Sequence, residues 1–206
     1  MISFINKQNL AKLLLESILI IFSVLLALLL NEYRTSLREQ KLKKSALENV
    51  EKEIINNLAT VKEWLPYHTK VLKNIQNALK DPATQKTMLK NGEIYYWEMM
   101  PRGFVQSLIY NTAWEIMKDV NTQSNLDFEI MLKLSNLYKL QEEGVQATIH
   151  TILNHMNSRE ALKTANLPET LLLLRNGFRE LVSQEEFLIH TYQNTLETLH
   201  PSNEEN

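Results

Sequence analysis

The feature that most restricts this chain is the stretch from Leu13 to Leu30, LLLESILIIFSVLLALLL, in which fifteen of eighteen positions are apolar. As a helix rising 1.5 Å per residue it spans about 27 Å, close to a hydrocarbon core of about 30 Å. From Ile18 to Leu30 every helical face is apolar apart from Ser23, so the polar side of an interfacial helix is missing. A chain of 206 residues offers no soluble core that would surround such a helix. The run passes into LLLNEYRTSLRE without a small-x-small exit, which argues against a cleaved signal peptide. The expectation is a transmembrane helix over 13–31, preceded by a short basic leader over 1–12.

Three polar residues interrupt the span. Glu16 lies near its amino-terminal end, within reach of the interface and one turn after Lys12, while Ser17 and Ser23 are able to bond back to helix carbonyls. Lys12, Tyr33, Arg34 and Arg38 are the expected interfacial anchors. Orientation rests on basic residues near the span: Lys7 and Lys12 before it, and Arg34, Arg38, Lys41, Lys43 and Lys44 after it. That excess favours a cytoplasmic domain, with the periplasmic alternative left open because a basic leader is also how a signal anchor begins.

Glu16-Ser17, then Ser23 to Leu28 (SVLLAL), then Asn31-Glu32-Tyr33-Arg34 resemble the membrane segment of a widespread set of uncharacterised bacterial single-pass membrane proteins, in which an N/D-E-W-R exit leads into a long helix and an α-helical domain. Asn111-Thr112-Ala113-Trp114-Glu115 and Leu134-Ser135-x-x-Tyr138-x-x-Gln141 are also similar to that family. Tyr33 stands where the family has Trp, and both rings suit the headgroup layer. The resemblance implies a bacterial inner-membrane location and an architecture; it brings no activity and no catalytic residues.

With four Gly in the whole chain there is no phosphate-cradling loop and no run of tight turns for a β fold, so the class is all-α. Between Asn31 and Leu65 neither Gly nor Pro occurs, and the membrane helix is expected to continue as a stalk of roughly 50 residues in all, about 80 Å at 1.5 Å per residue. Leu47, Val50, Ile54, Leu58, Val61 and Leu65 form a seam at 3 and 4 spacing, which resumes at Leu72, Ile75 and Leu79 beyond Pro66. Asn57 and His68 make it impure. The seam therefore favours packing against later helices of the same chain, with self-association through the upper part, Leu37 to Leu47, as the alternative.

The juxtamembrane helix is assigned to 32–79. Over 80–103 the pattern is interrupted: Asp81-Pro82 opens a short helix to about Lys90, Asn91-Gly92 stops it, and an aromatic and Met-rich run follows. Tyr95, Tyr96, Trp97, Met99 and Met100 in that run form a candidate interaction patch, or pack as a lid on the helices. Over 104–199 a helical bundle is expected. One helix runs from Phe104 to near Val120. A second is opened by a capping box at Ser124 and Asp127 and reaches about Met156, with a close approach or kink at Gly144. A third begins at Asn166-Leu167-Pro168-Glu169. The polar tail 200–206 is expected to fray.

Little here carries chemistry. Cysteine is absent, which removes thiolate chemistry and disulfides. His150 and His155 are five apart and point in different directions, and Glu186 with His190 reads as a surface pair rather than a metal site. Arg102-Gly103, expected just before a helix, is a weak anion-site signal. A net charge of -2 disfavours nucleic acid as a partner. The expectation is a membrane-anchored interaction or scaffold module without catalysis or cofactor, its partners the lipid bilayer and a protein or second copy; a tethered small-molecule sensor is the alternative.

Overall fold

The structure is a computed structural model that describes residues 7–105, 107–119 and 127–199. The chain is all-α. In order, α1 is Lys7–Lys80, α2 Pro82–Thr87, α3 Thr112–Asp119, α4 Phe128–Lys139, α5 Ala147–Met156 and α6 Leu167–Leu199; between α2 and α3 lie two-residue strands β1 (Leu89–Lys90) and β2 (Glu93–Ile94). Two compact units divide it, Met1–Ser45 and Ala46–Asn206.

In the first unit, every side chain from Lys12 to Leu42 is exposed. Leu13, Ile20 and Leu29 are 58%, 65% and 64% exposed, so within its own unit the apolar run is uncovered among the described residues. Among the described residues α1 is the one helix long and apolar enough to cross a membrane.

The second unit is organised by α1 and α6. Buried on α1 are Val50, Ile54, Asn57, Val61, Trp64, His68, Val71, Ile75 and Ala78, a line stepping 4 and 3 in strict alternation. On α6 the corresponding line is Leu171, Leu174, Phe178, Leu181, Glu185, Leu188, Tyr192 and Thr195. Such alternation keeps one stripe facing a neighbour along many turns. Asn57 and Tyr192 meet through Gln141, whereas His68 meets Glu185 and Phe178, so the two helices run antiparallel. The buried line on α1 lies one residue before Leu58, Leu65, Leu72 and Leu79, which are only half-buried.

Pro66 does not interrupt α1. A proline within a helix costs about 3 kcal/mol because it withholds an N–H and crowds the preceding turn. Pro66 is on the exposed face, and Val61, Trp64, His68 and Val71 bury the opposite face on both sides of it. Each large apolar side chain so buried is worth about 2 kcal/mol, enough to hold the helix through the defect.

Phe128 to Met156 is helical throughout, but its middle, Leu140–Gln146, is a π-helical stretch centred near Gly144. A Cβ on Gly144 would stand 3.3 Å from Leu140 Cδ1. Asp127 caps α4 by accepting from the Glu129 amide; Ser124, expected to share that cap, lies outside the described residues, as do Val120 and the tail 200–206. Gly177 lets α5 close on α6, since a Cβ there would sit 2.7 Å from Ile152 Cγ1.

Two expectations are corrected. The short helix ends at Thr87 rather than Lys90, and Asn91-Gly92, with φ of 54° and 80°, forms a hairpin turn between β1 and β2. Among the described residues no helix runs from Phe104: those up to Asn111 are irregular and α3 starts only at Thr112. The anion site imagined after Arg102-Gly103 therefore lacks its helix; Arg102 instead lies over the Tyr67 ring at 4.5 Å and reaches Glu63 at 3.8 Å.

Candidate functional site

The segment from Met99 to Asn111, irregular in its described residues, and the first turn of α3 after it follow α1 in the opposite direction, held by side chains of that helix. Asn74 Nδ2 donates to the Met99 carbonyl at 3.1 Å, and the Tyr67 hydroxyl to the Gly103 carbonyl at 2.5 Å. His68 Nε2 reaches the Phe104 carbonyl at 3.1 Å, and Trp64 Nε1 donates to Ser107 Oγ at 3.0 Å. Asn57 then pairs with both backbone groups of Tyr110, donating from Nδ2 at 2.6 Å and accepting at Oδ1 at 2.9 Å. Last, Glu53 accepts from the amides of Ala113 at 2.8 Å and Trp114 at 3.4 Å. Backbone groups committed to a neighbouring helix in this way are unavailable for a ladder of their own, which is why the strap stays irregular.

Its lower end merges with a polar cluster at the core. Gln141, buried, receives the Tyr192 hydroxyl at 2.5 Å and Asn57 Nδ2 at 3.2 Å on its carbonyl oxygen, and donates to the Tyr110 carbonyl at 3.1 Å. The Tyr138 hydroxyl donates to Glu53 at 2.8 Å. Glu53 thus caps α3 from another helix, its negative charge facing the positive end of the helix dipole. Burial pushes both hydroxyls, Tyr138 and Tyr192, far above the ordinary phenol range, and the nearby Glu53 carboxylate adds to the effect on each. The cluster is internally satisfied, as a buried network must be if it is to specify one packing.

Outside it lies a groove of about 490 Å³ between the first turns of α1 in this unit and α3, walled by Asn49, Lys52, Asn56 and Ile116 with Glu53 and Asn57 among its lining residues. It offers amide and charged groups beside an apolar wall. No group of three or more His, Cys, Asp or Glu side chains among the described residues is arranged to hold a metal ion.

The residues singled out in the sequence fall in three places. Glu16, Ser17 and Ser23 are exposed on α1 with Lys12, Tyr33, Arg34 and Arg38. Ser17 and Ser23 donate to the carbonyls of Leu13 and Leu19 at 2.8 and 2.7 Å, and no ion pair joins Lys12 to Glu16 among the described residues. The aromatic run is split: Trp97 is 67% exposed and Tyr95 38%, whereas Met99 and Met100 are buried and Tyr96 turns its hydroxyl to the Ala161 carbonyl. The methionines are therefore core, and a surface patch here reduces to Tyr95 and Trp97.

Glu53 and Glu185 escaped the sequence reading, Gln141 entered it only through the resemblance, and Asn57 and His68 only as impurities in a seam. A signal was present. On α6 the apolar series passes from Leu181 to Leu188 and misses one beat, at Glu185; on α1 it misses at Asn57 and His68. Polar residues at beats where the period demands an apolar group mark the polar contacts of the core. NTAWE and LSxxYxxQ, far apart in sequence, converge here: Trp114 stacks on Tyr138, and Gln141 is joined to Asn57. No family model, curated protein or solved structure matches the chain.

Proposed function

We propose that this protein is a membrane-anchored helical interaction module, in which Leu13 to Leu30 cross a bilayer once and the unit from Ala46 folds as a helical bundle that presents a surface to a protein partner or a second copy. The observation carrying this reading is the apolar run itself, exposed from Leu13 to Leu30 among the described residues. In water, that much uncovered leucine and isoleucine would drive aggregation; in lipid it needs no cover. The basic residues from Arg34 to Lys44 favour the cytoplasmic side of a bacterial inner membrane. The resemblance of the membrane segment to an uncharacterised single-pass set supports the same reading, and a non-catalytic role suits a cluster whose polar groups are spent on one another.

A full-length chain expressed in a bacterium is expected to sediment with membranes, resist an alkaline wash and come into solution with detergent. Recovery in the soluble fraction without detergent overturns the anchor. A photo-crosslinker at Trp97, the most exposed ring of the hairpin region, is expected to trap one discrete adduct in intact cells; its absence overturns the patch as the contact surface. The groove supports a second reading, a tethered small-molecule binding domain, because it sets Lys52, Asn49 and Asn56 beside Ile116. Saturable ligand binding abolished by Asn56→Trp would favour it.

A further inference from the structure

His68 and Glu185 face each other across α1 and α6 with Nδ1 and Oε1 2.6 Å apart, and both side chains are fully buried. Around the imidazole stand Trp64, Tyr67, Phe104 and Phe178, their ring centroids 5.6 to 6.1 Å from its own. The strap contributes the Phe104 carbonyl at 3.1 Å from Nε2. A carbonyl oxygen only accepts, so Nε2 carries a hydrogen. Nδ1 is then left either to donate to a carboxylate or to accept from a carboxylic acid.

The second oxygen decides between these. Glu185 Oε2 is buried and has no hydrogen-bond partner. An ionised carboxylate spreads its charge over both oxygens and would leave half of it without a donor inside a cage of rings, at a high cost. In the acid form Oε1–H donates to Nδ1 and Oε2 is a plain carbonyl oxygen, the polar atom that buried sites most readily leave unpaired. Burial raises the carboxyl of Glu185 in the same sense, and His68 is the one titrating group that acts against it. Among the described rings packed on it Tyr67 is the one with an ionisable group, and Arg102 and Glu63 beyond it are exposed.

We propose that His68 and Glu185 form a one-proton clasp, a neutral imidazole and a neutral carboxylic acid that join α1, the strap and α6 and couple the fold of this unit to pH. In the unfolded chain an imidazole titrates near 6.5 and a glutamate near 4.3. Above about pH 6.5 the unfolded pair holds no such proton and the folded pair holds one, so stability falls as pH rises. Between the two values each state holds one, and stability is flat. Below about pH 4.3 the unfolded pair holds two, and stability falls again as pH falls. Pro66 lies two residues before His68, where the Lys62 carbonyl lacks its usual helical donor, so the clasp sits beside a turn of α1 that is short of one hydrogen bond.

The test uses the full-length chain in detergent, with infrared spectra of protein labelled with carboxyl-¹³C glutamate. At pH 7 a protonated glutamate carboxyl band is expected that shifts with the label and is missing in Glu185→Gln. Finding no such band in the folded wild type overturns the clasp, whether or not the variant folds. Denaturant titrations supply the second reading: above pH 6.5 the wild-type folding constant is expected to fall up to tenfold per pH unit, and that of Glu185→Gln to stay level. Parallel pH profiles for the two proteins would also overturn it.

Discussion

The rings of Trp114 and Tyr138 are stacked with centroids 5.4 Å apart and planes within 3° of parallel. Trp114 belongs to α3 and Tyr138 to α4, and both also reach Glu53 on α1, Trp114 through its amide and Tyr138 through its hydroxyl. One carboxylate therefore fixes both partners of the stack.

Replacing Glu53 by Ala is expected to lower the unfolding free energy by about 2–3 kcal/mol, since two helix amides and a phenol lose a charged acceptor. Tyr138→Phe removes one of those bonds and is expected to cost about 1 kcal/mol. The double variant should cost less than the two together, because each single change already breaks the bond they share. Urea titrations of the detergent-solubilised protein measure all three.

The buried phenols make an alkaline prediction. Tyr138 and Tyr192 are raised by burial above the ordinary value of 10.0. A group raised in the folded state contributes stability in full below its unfolded value and loses it as pH climbs beyond. Above pH 10 the protein is expected to lose stability, and ultraviolet titration should show these two tyrosines ionising only with unfolding. Ionisation of all seven tyrosines while the helix signal stays intact would contradict this.

Gly177→Ala sets two effects against each other. Alanine favours a helix over glycine by about 1 kcal/mol, but its methyl group would meet Ile152 at 2.7 Å, and overpacking of a buried contact costs about 1–3 kcal/mol. The net expectation is a loss. In an Ile152→Ala background the obstruction is gone and the same substitution should stabilise, so the change of sign between backgrounds is the measurement.

Pro66→Ala returns an N–H to the Lys62 carbonyl on an exposed face. The gain of up to about 3 kcal/mol in the helix exceeds the loss of up to about 1 kcal/mol from a freer unfolded chain. Thermal unfolding is expected to shift upward; a downward shift would mean that the turn before His68 is shaped by the proline itself.

Much of the fold is legible in the sequence because helical period and chain punctuation are local signals. The uncovered run from Leu13, the opening of α6 at Leu167 and the irregularity at Gly144 all follow from spacing or from single residues. The seam of α1 is legible at Val50, Ile54, Val61 and Ile75 but one position off at its leucines: Leu58, Leu65, Leu72 and Leu79 repeat every seven residues yet edge the stripe, and its centre includes Asn57 and His68. The strap is illegible for a different reason. Phe104 and Leu108 have helical spacing, but whether their backbone coils depends on Tyr67, His68, Trp64 and Asn57, some 36 to 53 positions earlier. Glu185 looks like any charged helix residue until its opposite number is known.

The strap is bound to α1 by six helical residues, three of which reach a single group while Tyr67, Asn57 and Glu53 reach two each. Replacing one of them leaves the other five engaged. Adding or deleting a residue between Met99 and Trp114 instead puts every later partner out of step at once. In this part of the protein an insertion or deletion is therefore expected to do more harm than any single substitution.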